Sequence, residues 1–262
     1  MEKSIEVIVK EDYEALSQAV AHDFLLRVKK AILEKGIFSC ALSGGSTPKR
    51  FYEILGGSPY QTEISWDKIH FFFSDERCVP PDHAASNFKM IQEHFFSKIK
   101  IPSQNIHRMK GELEPEKAAL DYEMEMRKIF SAASGFPVMD LMLLGMGEDG
   151  HTASLFPHTA ALHEKKRWVT AYYVEKLKMF RMTLTFPVIN AAQAAAFLVS
   201  GSEKAEIVSQ VLGGKKLSSE ISSAASGFSF EVEQNFPAQM VSPVSGELIW
   251  FLDAAAAKFL NR

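Results

Sequence analysis

The chain has 262 residues, of which 47% are apolar and 23% are charged, so it can bury a large hydrophobic core. Its formal net charge of -3 gives no indication of a nucleic-acid partner or of electrostatic attachment to a membrane, although a local pocket for a small anion is compatible with it. No linker divides the sequence, and we predict a single domain over residues 1–262.

The termini and the cysteines exclude several further classes. The N-terminal sequence lacks the basic start and the long apolar segment of a signal peptide, and no later apolar run has the length needed to span a bilayer. We therefore predict a cytoplasmic protein. Cys40 and Cys78 show no C-x-x-C spacing, which argues against a disulfide framework or a structural zinc site. Cys40 lies in an apolar run and is predicted to pack in the core.

The first half of the chain alternates predicted strands with predicted helices. A short strand at residues 5–9 is followed by apolar residues at every fourth position, which predicts one buried face of a long helix. This helix begins near Asp12 and ends at Gly36. The further predicted elements are strands at residues 37–42 and 69–73 and helices at residues 48–55, 86–96 and 114–130.

The second half continues this alternation, which is typical of a mainly parallel sheet covered on both faces. We therefore predict an α/β fold, a three-layer α/β/α domain with a Rossmann-like sheet. An Ala-rich terminal helix is expected after residue 253, and residues 213–226 are expected to be mobile. The other predicted elements are strands at residues 139–144, 168–174, 181–186, 195–199 and 246–253 and helices at residues 187–190 and 204–212.

A glycine-rich loop after the predicted strand at residues 139–144 carries the strongest candidate for chemistry. Three glycines interrupt this loop, and His151 stands two residues after Asp149. The carboxyl edge of a parallel sheet is the usual place for a site in an open α/β fold, and an imidazole is suited to proton transfer near neutral pH. We predict that His151 takes part in the chemistry; the alternative is a histidine that only hydrogen-bonds a loop.

A second glycine-rich turn at residues 43–47 precedes Pro48, which suits the first position of a helix capped by Ser46 or Thr47. Backbone N–H groups at such a helix start, with two glycines that allow close approach, form a cradle for phosphate. The spacing matches neither the Walker loop nor G-x-G-x-x-G, which disfavours nucleotide binding. An ordinary turn between strand and helix is the alternative.

Three cations stand beside predicted strand ends. Arg77 follows two carboxylates, one of them Asp75, and forms either a surface salt-bridge cluster or a fork for phosphate or carboxylate. Arg181 begins a strand and is either a surface side chain or a ligand. Lys204 falls in the first turn of a helix, where a cation opposes the helix dipole unless an anion lies nearby. Together with His151, these groups predict an anion pocket with a histidine beside it.

Several strings of the chain, in this order, resemble the 6-phosphogluconolactonases of the oxidative pentose phosphate pathway. The similarity spans nearly the whole chain, and the string that contains His151 is long and specific. Residues 175–180 depart from the family pattern because they lack the prolines usually found before Arg181, and residues 83–85 replace a more acidic stretch. The strings are LSGGSTP at residues 42–48, SDER at 74–77 with SN at 86–87, LGMGEDGHTASLFP at 144–157, RMTLT at 181–185 and GSEK at 201–204.

The resemblance implies hydrolysis of 6-phospho-D-glucono-1,5-lactone to 6-phosphogluconate without a metal or an organic cofactor. It also implies a fold shared with sugar-phosphate isomerases and glucosamine-6-phosphate deaminases, a phosphorylated sugar lactone as the small-molecule partner, and a monomer or weak homo-oligomer. By this similarity His151 is the general base. We predict in addition that Asp149 orients or electrostatically supports its ring. The residues that hold the substrate would be Ser43, Gly44, Gly45, Ser46, Thr47, Asp75, Arg77, Arg181 and Lys204.

Two other functions are compatible with these strings. A glucosamine-6-phosphate deaminase has a similar turn and a similar Asp-Gly-His loop, but Phe156 stands where the deaminases carry a glutamate, and Arg77 stands where they usually carry an aromatic residue. A sugar-phosphate-binding regulator on the same fold is the second alternative. His151 beside Asp149 argues against it, because a pure binder has no need of a titratable base next to a carboxylate.

Overall fold

The computed structural model describes residues 5–130, 135–213 and 236–260. Its strands are β1 Ile5–Lys10, β2 Phe38–Leu42, β3 Ile69–Phe73, β4 Asp75–Arg77, β5 Leu141–Leu144, β6 Val169–Val174, β7 Met179–Leu184, β8 Ala194–Val199 and β9 Glu247–Asp253. Its α-helices are α1 Tyr13–Lys35, α2 Pro48–Leu55, α3 Tyr60–Glu63, α4 Asn87–His94, α5 Pro115–Phe130, α6 Phe186–Ile189 and α7 Ala205–Leu212. The stretch predicted to be mobile lies, from residue 214 onward, outside the described residues.

Six strands form a parallel sheet in the order β1-β9-β8-β5-β2-β3. Every residue of β2, β5 and β8 is buried, so both faces of the sheet are covered, and Cys40 packs in this core as predicted. The α/β fold with a mainly parallel sheet is therefore confirmed. Because all six strands run in the same direction, the loops that follow β2, β3, β5 and β8 leave the sheet at the same edge.

A second, three-stranded sheet lies beyond that edge, in the antiparallel order β4-β7-β6. Its strand β4 begins two residues after β3 ends, and Arg77 pairs across the ladder with Arg181. The sequence predicts the strands at residues 168–174 and 181–186 but gives no indication that they form a separate sheet. This sheet is what brings Arg181 next to the carboxyl edge of the parallel sheet.

Helix α1 packs along the sheet through its apolar face, as the spacing of its residues predicts. The Asp12 side chain accepts a hydrogen bond from the N–H of Ala15 at 2.8 Å and caps the helix start, and Gly36 ends the helix with φ of 79°. The helix contacts β1, β2, β9 and α2. Among the described helices, none is long and apolar enough to cross a membrane.

We expect the change Phe24→Ala on α1 to lower the free energy of unfolding by about 3–5 kcal/mol, because it removes a fully buried ring. The ring of Phe24 packs edge-on against Phe38 and Phe51, with centroids 5.5 and 5.9 Å away. Denaturant titration measures the loss. Leu33→Ala on the exposed side of the same helix is the matched control and should change stability by less than about 0.5 kcal/mol. Equal effects of the two changes would contradict this account of the core.

The predicted Ala-rich terminal helix is wrong. The segment after β9 forms successive turns and no continuous helix. The Asp253 carboxylate accepts from the N–H groups of Ala256 and Gly201 and from the Ser200 hydroxyl, so the end of β9 is tied to the loop after β8.

Candidate active site

The loop between β2 and α2, at residues 43–47, packs closely against the side chain of Asn87. Gly45 has φ of 98°, a conformation that glycine adopts without strain. A Cβ atom on Gly44 would overlap the Asn87 side chain at the start of α4. Thr47 occupies the predicted N-cap position of α2, but its side chain makes no capping hydrogen bond because its backbone is already helical. The start of α2 therefore faces the site without a side-chain cap.

The His151 ring is held by the Asp149 carboxylate. Nδ1 of His151 lies 2.5 Å from Oδ1 of Asp149, and Nζ of Lys176 lies 3.1 Å from Oδ2. Partial burial acts to raise the pKa of Asp149, but the hydrogen bond and charge of His151, and then Lys176, hold that pKa well below its ordinary value. Asp149 is therefore an ionised acceptor. It fixes the proton of a neutral imidazole on Nδ1 and leaves the lone pair on Nε2.

Close contacts fix the position of the imidazole. The ring of Phe156 stacks on that of His151, with centroids 4.1 Å apart and planes 27° apart. On another side, a Cβ atom on Gly147 would overlap Cε1 and Nδ1 of the ring. The loop is closed by the N–H of Gly147, which donates to the carbonyl of His151 at 2.9 Å. The ring thus occupies space that only a glycine at position 147 leaves open.

Two guanidinium groups lie together at the β4–β7 ladder. Arg181 is only 9% exposed, and neither its Nε nor the Nε of Arg77 finds a hydrogen-bond partner in the described part of the chain. Burial first, and then the charge of Arg77, lower the pKa of Arg181. Two neighbouring positive charges with buried donors that lack acceptors destabilise the fold. An anion between them would accept hydrogen bonds from both guanidiniums. Nη1 of Arg77 donates to the carbonyl of Ala85 at 2.7 Å, which orients this side chain.

The acidic residues of this region are engaged inside the protein. Asp75 accepts from the Ser154 hydroxyl at 2.6 Å and from Nδ2 of Asn87 at 3.2 Å. Glu76 accepts from the N–H groups of Asn87 and Phe88 at the start of α4. Asp75 faces the site, but its carboxylate oxygens already accept hydrogen bonds from Asn87 and Ser154. Its main role is therefore to position these two side chains, and a contact with a ligand would be secondary.

Two adjacent cavities of about 200 and 400 Å³ lie at the carboxyl edge of the parallel sheet. Both are lined by His151, Arg77, Asp75 and Lys204, and we call the two cavities together the recess. The first cavity also contacts residues 43–48, and the second contacts Asp149 and Arg181. The structure thus brings together all of the residues that the sequence predicts for the site: Ser43, Gly44, Gly45, Ser46, Thr47, Asp75, Arg77, Asp149, His151, Arg181 and Lys204.

Several residues that line the recess are absent from the sequence prediction of the site. Among them are Asn87, Ser154, Phe156 and Lys176. The strings that carry the family resemblance contain Asn87, Ser154 and Phe156. Membership in these strings was the signal by which the three residues could have been predicted as part of the site. Lys176 falls in the stretch that departs from the family pattern, and only the fold places it beside Asp149.

The recess has the groups needed to bind an anion and to move a proton, and its volume is in the range of small-molecule sites. Across residues 5–130, 135–213 and 236–260, no group of three or more His, Cys, Asp or Glu side chains is arranged to hold a metal ion. The fold and the recess define an α/β protein with a cationic pocket and a histidine–carboxylate pair at the carboxyl edge of its sheet.

Comparison with known proteins identifies the family. A family model described as glucosamine-6-phosphate isomerases/6-phosphogluconolactonase matches residues 11–250, and the chain belongs to this family. A protein of Nostoc sp. named 6-phosphogluconolactonase is 38% identical over 263 residues, covering 100% of both chains. Another of that name from Synechocystis sp. is 40% identical over 238 residues, covering 90% of each.

A solved structure agrees with these relatives. The crystal structure of 6-phosphogluconolactonase from Thermotoga maritima is 32% identical to this chain, with a TM-score of 0.78. The alignment covers 95% of this chain and 100% of that chain. The resemblance seen in the sequence strings is therefore confirmed at the level of the family.

Proposed function

We propose that this protein hydrolyses 6-phospho-D-glucono-1,5-lactone to 6-phosphogluconate, as the names of its relatives suggest. The observation that carries the proposal is the position of His151. Its Nδ1 is held by an ionised Asp149, and its ring lines the same recess as two guanidiniums whose Nε atoms have no acceptor among the described residues. A base and an anion anchor on one recess fit a substrate that has a phosphate and an electrophilic carbonyl.

The reaction begins with a water molecule between Nε2 of His151 and the lactone carbonyl. Nε2 takes a proton from this water as its oxygen attacks C1, and the carbonyl oxygen becomes an oxyanion. The ester bond between C1 and the ring oxygen then breaks as the imidazolium returns the proton to the ring oxygen. Asp149 keeps the ring oriented and stabilises the imidazolium, and Lys204, which also lines the recess, stabilises the oxyanion. The base, its carboxylate partner and the cation in this mechanism are all side chains of the protein.

The phosphate supplies the positioning. Its dianion is assigned to the N–H groups of residues 43–47, the start of α2 and the guanidiniums of Arg77 and Arg181. Lys204, the N-cap residue of α7, adds a third cation to the recess and has no carboxylate within ion-pair distance in the described residues. Anchoring the phosphate holds the lactone carbonyl in a fixed position relative to His151. Such orientation lowers the activation barrier of hydrolysis by roughly several kcal/mol.

The face of the imidazole separates this proposal from a deaminase. The deaminases carry a glutamate at the position that corresponds to Phe156. In this chain the aromatic ring of Phe156 covers one face of the His151 ring, where a deaminase would have a second carboxylate. Lactone hydrolysis needs one base, whereas ring opening and proton shuttling in the deaminases need the additional acid. Phe156 therefore favours hydrolysis.

Parallel assays on two substrates test the proposed function. One follows fresh 6-phosphogluconolactone, corrected for spontaneous hydrolysis, and the other follows ammonia release from glucosamine 6-phosphate. We expect rapid loss of the lactone and no ammonia. Ammonia release without lactone hydrolysis would place the protein among the deaminases, and no turnover with either substrate would support a binding role.

We expect Gly147→Ala to lower kcat by up to about 10²-fold, because its Cβ would displace the imidazole from its position. Steady-state kinetics on the lactone measure this change. Gly145→Ala in the same loop is the matched control, since its Cβ would meet only Oγ of Ser43, at 3.6 Å. The control should keep kcat within about threefold. If Gly147→Ala also kept it, the position of the His151 ring would not limit turnover.

A further inference from the structure

Two tyrosine hydroxyl groups contact the phosphate loop, residues 43–47, one from a fully buried ring and one from a half-buried ring. The hydroxyl of Tyr52 donates to the carbonyl of Ser43 at 2.7 Å, and that of Tyr13 donates to the carbonyl of Thr47 at 2.9 Å. The carbonyl of Ser46 lies 3.2 Å from the Tyr13 hydroxyl as well. The first and last residues of the loop are therefore both bound through their carbonyl oxygens.

These bonds determine where the N–H groups of the loop point. In a trans peptide the carbonyl and the following N–H point in opposite directions. A Ser43 carbonyl fixed on Tyr52 turns the N–H of Gly44 away from that ring, and a Ser46 carbonyl turned towards Tyr13 does the same for the N–H of Thr47. Within the described residues, no N–H of residues 44–47 donates to another group, although all of these residues line the recess.

The two tyrosines are themselves held firmly. Tyr52 is fully buried on α2, where its ring stacks on that of Phe95 at 5.8 Å. Tyr13 is the first residue of α1, and its hydroxyl also accepts from the N–H of Arg50 at 3.2 Å. Arg50 in turn binds both carboxylate oxygens of Glu14, at 2.6 and 2.9 Å, which ties the start of α1 to α2. Burial raises the pKa of both phenols, so they keep the protons that they donate.

We propose that Tyr52 and Tyr13 are positioning residues that set the phosphate loop in its anion-binding form before a ligand arrives. This inference rests on the proposed function for the identity of the ligand, a sugar phosphate. A loop that is already ordered binds with a smaller entropic cost, so the hydroxyls act on affinity for the phosphate group. Neither tyrosine lines the recess or hydrogen-bonds to His151, so we expect the chemical step to be unchanged when their hydroxyls are removed.

The test uses Tyr52→Phe and Tyr13→Phe, which remove one oxygen each. The probe is 6-phosphogluconate, with inorganic phosphate as a second probe, and calorimetry gives the Kd. We expect each change to raise the Kd for 6-phosphogluconate by about 5- to 10-fold, the effect of one lost hydrogen bond, and the pair of changes to raise it further. The kcat at saturating lactone should stay within about twofold, and binding of gluconate, which has no phosphate, should be unaffected.

Tyr122→Phe is the matched control. Its buried hydroxyl accepts from the N–H of Phe73 at 2.9 Å and makes no hydrogen bond to residues 43–47, so its loss should affect stability and not the Kd. If Tyr52→Phe fails to fold, Tyr13→Phe, whose hydroxyl is only partly buried, provides the same test. An unchanged Kd in the folded variants, or an equal rise for gluconate, would overturn the inference.

The Kd values also separate this inference from the proposed function. A wild-type chain that binds 6-phosphogluconate but hydrolyses no lactone would disprove the proposed function and leave the tyrosine inference to be decided by the Kd values. A wild-type chain that hydrolyses the lactone while the tyrosine variants keep their affinity would disprove only the inference. If neither 6-phosphogluconate nor inorganic phosphate bound, the loop would not be a phosphate site and the inference would fail.

Discussion

Replacing His151 by alanine is expected to lower kcat for 6-phosphogluconolactone by about 10²- to 10⁴-fold, the range for loss of a general base. The variant loses the nitrogen that faces the recess but keeps the phosphate anchor. The Kd for 6-phosphogluconate should therefore change by less than about threefold. Initial rates and calorimetry on the same preparation measure both quantities, and a variant with near-normal kcat would remove His151 from the mechanism.

Two companion variants sharpen this result. His22→Ala, at an exposed position of α1, controls for the loss of an imidazole and should leave kcat unchanged. Asp149→Asn keeps the shape of the partner but removes its charge, so the proton of the imidazole is no longer fixed on Nδ1. We expect a fall in kcat of about 10²-fold or more. Equal activity of Asp149→Asn and wild type would show that the 2.5 Å contact between the two residues has no part in catalysis.

Replacing Arg181 by methionine is expected to lower kcat/KM for the phosphorylated lactone by about 10²- to 10³-fold, because a desolvated cation that binds phosphate is lost. The same change should leave the free energy of unfolding unchanged or raise it. Arg181 is buried beside Arg77, and its Nε has no acceptor in the part of the chain that the structure describes, so a side chain of similar size without charge relieves an unfavourable arrangement. Weaker catalysis with equal or greater stability is the signature of a binding residue.

Unphosphorylated glucono-1,5-lactone provides the internal control for Arg181→Met, since its slower hydrolysis should be insensitive to the change. Arg108→Met, which removes an arginine paired with Glu112 outside the recess, should affect neither substrate. A loss of stability of more than about 1 kcal/mol with retained affinity would show that Arg181 is a structural residue.

Much of the fold follows from local patterns in the sequence. Local patterns show which residues of an element are buried: strands appear as apolar runs of strand length, and α1 appears as apolar residues at every fourth position. These patterns predict the bounds of β1, β2, β3, β5 and β8 and of most helices to within a few residues. The order of strands and helices then predicts a parallel sheet. Because parallel strands have their carboxyl ends at the same edge of the sheet, their common direction is enough to predict that Gly44, His151 and Lys204 lie at one edge.

The remaining features depend on contacts between distant parts of the chain. An alternating strand does not reveal which sheet it joins, so the pairing of Arg77 with Arg181 was not predictable. The contact between Lys176 and Asp149 likewise forms only when the β6–β7 turn folds over the histidine loop. The same limitation explains the incorrect terminal helix, because its alanines favour a helix while the hydrogen bonds of Asp253 favour turns.

The most direct test of the account is the ratio of kcat/KM for 6-phosphogluconolactone to that for glucono-1,5-lactone, measured with the wild-type chain and corrected for spontaneous hydrolysis. A histidine base and a phosphate anchor on one recess predict a ratio of about 10²- to 10⁴-fold in favour of the phosphorylated lactone, since the anchor provides charged hydrogen bonds of about 1.5–3 kcal/mol each. A ratio near one, or no catalysed loss of either lactone, would contradict the account.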